Sequence, residues 1–118
     1  LFRRADRPDA IFVGNDFMAF GVIETLQVEF GLSAPDDVSI IGFDDVEMAA
    51  WKIYDLTTIR QPINRMVTAT VDLLFELIEG GGDGPIRIEI ESELVIRGST
   101  RSQASIAAAE HDRKITRL

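Results

Sequence analysis

Apolar residues recur along this chain with two different periods, and the switches between them mark out strands and helices. After the charged, proline-containing stretch LFRRADRPD (1–9), the run AIFVG (10–14) has the length and continuous hydrophobicity of a strand buried on both faces. Behind it Ala19, Val22, Ile23, Leu26 and Phe30 return every three or four positions, predicting a helix of about four turns that starts at Asp16 as N-cap and stops at Gly31. LSAPDD (32–37) reads as a turn, VSIIGF (38–43) as a β-branched strand ending at Asp44 and Asp45, and VEMAAWK (46–52) as one or two helical turns. LTTI (56–59) predicts a third short strand. Pro62 then opens a helix whose stripe is Ile63, Met66, Val67, Thr70, Leu74, Leu77 and Ile78, ended by GGGDGP (80–85). IRIEIE (86–91) alternates at period two, the mark of a half-exposed strand, and ELVIR (93–97) adds a further candidate. Residues 101–118 carry few large apolar groups and predict a flexible tail.

Strands alternating with helices specify an α/β fold with a largely parallel sheet and flanking helices. Only three or four strands are present, fewer than a comfortable doubly wound sheet, which suggests a piece of a larger architecture. A 46% apolar content is enough for a core. No stretch approaches the roughly 20 apolar residues that span a bilayer, and no signal peptide is visible. The absence of cysteine removes disulfides, zinc thiolates and cysteine nucleophiles, and a single histidine leaves little catalytic scope. Residues 1–100 hold 8 basic and 18 acidic side chains, a net −10 that repels phosphate backbones and makes this stretch a poor candidate for direct nucleic-acid binding.

The candidate chemistry sits at strand ends, where open α/β sheets bind ligands. Asn15 offers a donor and an acceptor and Asp44 a carboxylate that accepts two hydroxyls, a pairing suited to sugars, polyols or the N–H edges of a nucleobase. Asp16 is expected to serve chiefly the helix start and only secondarily a ligand. Asp45 is expected to pair with a backbone group or a cation; a metal site needs more converging oxygens, and a phospho-acceptor needs a lysine better placed than Lys52 or Lys114. On the first helix, Phe17, Phe20 and Glu24 line a face separate from the core stripe. With Met48 and Trp51 they form a candidate subunit contact. Catalysis is disfavoured: His111 lies in the tail without triad partners, GGGDGP follows a helix and lacks the phosphate-loop lysine, and IIGFDD has no phosphate loop to accompany it. No cofactor is implied.

The strings PDAIFVGNDFMAFGVIETLQ, PDDVSIIGFDD and LTTIRQP, in this order and spacing, resemble the carboxy-terminal part of the LacI/GalR family of bacterial transcription regulators, over about residues 8–100. The resemblance implies part of a two-lobed, periplasmic-binding-protein-like (type I) core. Residues 8–60 and 93–99 are assigned to its carboxy-terminal subdomain and 61–92 to elements of the amino-terminal one, with crossings near Arg60–Pro62 and Glu89–Glu93. It implies that Asp44 and Asn15 contact a sugar-like or purine-like effector, that Gln61 and Ile63 sit at a crossing where Gln61 can face the cleft, and that the Phe17–Phe20–Met48–Trp51 region lies at a homodimer interface. It further implies a cytoplasmic regulator that reaches DNA only through an amino-terminal helix-turn-helix absent from this chain. The helix stripe 63–78 is left without its usual sheet, to be completed by upstream chain, another protomer or a rearrangement. The alternatives are a periplasmic sugar-binding protein and, from another class, a receiver-like signalling domain.

Overall fold

The computed structural model describes residues 2, 3, 6–81 and 84–102. Among these, four strands form one sheet in the order β1–β2–β3–β4, with β1 at Ala10–Phe12, β2 at Ser39–Asp44, β3 at Thr57–Arg60 and β4 at Glu93–Val95. The first three run parallel, with Ile11 opposite Ile40 and Asp44 opposite Arg60; β4 returns antiparallel, Arg60 facing Glu93. The largely parallel α/β sheet predicted from the alternation is therefore present. Helix α1 (Asp16–Phe30) connects β1 to β2 and packs on β2, and a single 3-10 turn (Glu47–Ala50) precedes β3.

One face of the sheet is covered. Val38, Ile40 and Gly42 alternate inward along β2 and meet Ala19, Phe20 and Leu26 of α1, with Ala49 and Leu56 closing the layer. The other face carries no such layer, and this overturns one expectation: β1 is not buried on both faces. It is an edge strand, and Phe12 stands 60% exposed. The helix boundaries follow local chemistry closely. Gly31 adopts φ +64°, and with Leu32 it returns backbone bonds to Gln27 and Leu26 O, the left-handed stop that glycine makes cheaply.

Helix α2 (Ile63–Ile78) forms where the 3.6-residue stripe predicted it, but none of its residues is buried. Pro62 occupies its N-cap and not its first turn. The alternating segment 86–91 is not a strand in this structure. It runs exposed, with Ile86 and Ile88 about half open, because among the described residues no neighbouring strand offers a ladder for its backbone. ELVIR does pair, and beyond it residues 97–101 are stitched under the sheet. Ser99, buried, donates its hydroxyl to Ile40 O (2.6 Å) and accepts Thr57 N–H (2.8 Å). Most of the expected tail, 103–118 with His111 and Lys114, lies outside the described residues.

Candidate functional site

The ends of β1, β2 and β3 converge on one carboxylate. Asn15 follows β1 in extended conformation and caps α1: its Oδ1 accepts Phe17 N–H (2.9 Å) and Met18 N–H (3.3 Å). This corrects the expectation that Asp16 is the N-cap. Because the helix N–H groups demand an acceptor, the amide must turn its Nδ2 outward, and Nδ2 donates to Asp44 Oδ2 at 2.7 Å. Gln61, the first residue beyond β3, donates through Nε2 to the other oxygen, Oδ1. Asn15, Asp44 and Gln61 are thus brought together from positions far apart in the chain, all half-buried at the carboxyl rim.

Asp16 lies beneath this rim, fully buried. Its carboxylate accepts Thr58 Oγ1–H (2.6 Å) and Val46 N–H (3.0 Å), tying the start of α1 to β3 and to the segment after β2. A β-carbon at Gly42 would collide with Asp16 Oδ1, so the glycine of IIGFDD is there to admit this acid. Asp16 thus bridges elements in this structure and does not cap the helix.

The adjacent Asp45 takes the expected cation in duplicate. Arg97 donates to its Oδ1 (2.6 Å) and also to Leu56 O (2.8 Å), while Arg60 donates to its Oδ2 (2.6 Å) and reaches Glu93 at 2.9 Å. Burial pushes the Asp45 carboxyl up, but the two guanidinium hydrogen bonds and charges outweigh that and hold its pKa below the ordinary value. The same contacts raise Arg60. Asp44 and Asp45 have φ of 124° and 58°, left-handed conformations that side chains rarely adopt and that the paired side chains over-determine. Arg60 and Arg97 were missed as site residues; the only sequence signal was their placement at the two ends of the predicted excursion 61–92.

Beyond Gln61 the rim opens onto an apolar groove of about 400 Å³ along α2, lined by Gln61, Ile63, Met66, Val67, Thr70 and Val71. Among the described residues no group of histidine or acidic side chains is arranged to hold a metal. The predicted contact face divides. Phe20 is not off the core: it is 4% exposed and stacks on Tyr54 (centroids 4.2 Å apart), because α1 settles with residue 20 rolled toward the 3-10 segment. Met48 is half-buried against the same core. Phe17 and Trp51 stay outside, 59% and 51% exposed. Glu24 accepts the Tyr54 hydroxyl at 2.7 Å, which raises the tyrosine pKa.

The sheet thus carries a polar rim at the carboxyl ends of its parallel strands, the architecture of an α/β binding domain, and residues 1–100 match the periplasmic binding protein-like domain family; the chain belongs to that family. Its relatives there are LacI-type regulators, as the motifs indicated. The HTH-type transcriptional repressor PurR of Photobacterium profundum is 38% identical over 96 residues, which is 81% of this chain and 28% of that protein. The lac repressor dimer bound to operator and the anti-inducer ONPF superposes with TM-score 0.70 at 34% identity, covering 80% of this chain and 32% of that one. The transcriptional regulator CelR in complex with cellobiose gives TM-score 0.69 at 31% identity over 77% of this chain and 28% of that one. The chain spans less than a third of the length of these relatives.

Proposed function

We propose that this chain is an effector-sensing portion of a LacI-type transcription regulator, in which Asn15 and Asp44 grip a small sugar-like or purine-like ligand at a rim that Gln61 shares. The observation that carries the reading is the convergence of three strand ends on Asp44, beside an apolar groove. Such a rim suits a ligand with several hydroxyl or N–H donors and one apolar flank. Asp16 supports the rim from below. Residues 8–60 and 93–99 constitute one lobe, and 61–92 belong to the other, so the ligand bridges lobes whose relative arrangement it biases. That bias alters the DNA affinity of a helix-turn-helix carried elsewhere, in a cytoplasmic regulator with no catalytic step. The acidic surface of this stretch is consistent with leaving DNA contact to another domain. Relatives named as repressors favour this reading over a periplasmic transport protein. Phe17 and Trp51, with Glu24 and Met48 behind them, provide the homodimer contact.

Calorimetry of the chain against a sugar and purine panel, repeated with Asp44→Ala, tests the assignment. Removing a carboxylate that accepts charge-assisted bonds should weaken binding by about 10- to 100-fold. An unchanged affinity refutes it.

A further inference from the structure

In this structure both oxygens of the key carboxylate already accept a side-chain amide. Asp44 Oδ2 is taken by Asn15 and Oδ1 by Gln61, and Gln61 is also the residue at which the apolar groove of α2 begins. A donor-bearing ligand that enters along the groove therefore meets Gln61, already bonded to Asp44, before it reaches Asp44 itself. We propose that Gln61 is an internal latch: it holds the acceptor position in the unliganded state, and ligand binding replaces it and releases the start of α2. This rests on the assignment of Asp44 as a ligand contact.

The surrounding contacts decide which partner yields. Asp44 cannot follow a departing Gln61, because it is the last residue in register with β3 (opposite Arg60) and its neighbour Asp45 is gripped by both Arg60 and Arg97. On its far side Gln61 is held through its own backbone, its carbonyl accepting Ile63 N–H at 2.9 Å. It is the first residue beyond the β2–β3 ladder, and it leads through Pro62 into a helix that buries none of its residues. Breaking the Gln61–Asp44 bond thus frees the helical side while the sheet side stays fixed. Occupancy at Asp44 and the position of α2 become alternatives linked by one side chain, so a ligand shifts the second by occupying the first.

The test uses the wild-type chain and the variants Gln61→Ala and Asp44→Ala, with cellobiose and hypoxanthine as probes. In the free chain, NMR should show the Gln61 side-chain amide protons displaced when Asp44 is replaced by Ala. Hydrogen exchange over the first turns of α2 should rise several-fold in Gln61→Ala, with β2 and β3 unaltered. If either change is absent, the latch is refuted, whether or not a probe binds. Where a probe binds, deleting an internal competitor should tighten it roughly 3- to 10-fold in Gln61→Ala. Equal or weaker binding makes Gln61 a bystander or a plain contact and overturns the proposal. A probe that binds Asp44→Ala as well as wild type instead overturns the site assignment itself.

Discussion

At the scale of single residues, Asp45 shows how a side chain outside the proposed contacts can govern them. Two arginines brought in from residues 60 and 97 fix it at 2.6 Å each, and Asp44 inherits its left-handed geometry from the same turn. Because its folded-state pKa is lowered, Asp45 contributes stability that is complete above the unfolded carboxylate pKa of about 3.9. The contribution is lost as pH falls through the lower folded value. Asp45→Asn should therefore cost about 2 kcal/mol near neutrality, for loss of charged hydrogen bonds. The wild-type and variant stabilities should converge on acidification. Urea unfolding at pH 7 and at roughly pH 3 reads both, and parallel curves would show that the clamp is not what titrates. The presence of a cation partner for Asp45 was legible in the sequence; which arginines supply it was not, since both lie far along the chain and one returns only with β4.

The elements themselves follow from local pattern where a partner is built into the same stretch. Strand, helix and strand from Ala10 to Asp44 fold onto one another, so the period of each run survives in the structure. IRIEIE shows the limit: its period is equally clear, but a strand exists only through a neighbour, and none is present among the described residues. Phe20 shows a second limit, because the core face of α1 is wider than a stripe at strict spacing, and Tyr54 supplies a ring for residue 20. The join between α1, β2 and β3 depends on Gly42. Gly42→Ala drives a methyl into Asp16 and to 2.9 Å from Leu56 Cδ2, both buried, and should destabilise by about 1–3 kcal/mol. Gly21→Ala in α1, where a β-carbon meets nothing within 4 Å, should instead be neutral or stabilising by up to about 1 kcal/mol. Thermal melts of the pair distinguish close approach from a general intolerance of alanine.

For the whole molecule, the uneven distribution of apolar surface is the dominant feature. The sheet has a buried core where α1 covers it, while α2 presents Val67, Leu74, Phe75 and Ile78 to solvent, each more than half exposed. A stripe of that kind represents unfinished burial. Phe17 and Trp51, the residues proposed for contact between copies, are each more than half exposed. Phe17→Glu with Trp51→Glu should lower the mass seen by light scattering without lowering the melting temperature; an unaltered mass would count against the dimer face. Periodicity, glycine stops and strand-end acids let the sequence alone determine the element order, the α/β class and Asn15 and Asp44 as the residues of interest, because each of these rests on neighbours within a turn or a strand. Only the tertiary structure decided that Asp16 is buried and that Gln61, Arg60 and Arg97 complete the rim. Those outcomes depend on hydrogen bonds between positions 15 to 52 residues apart, which exist only once the three strands lie side by side.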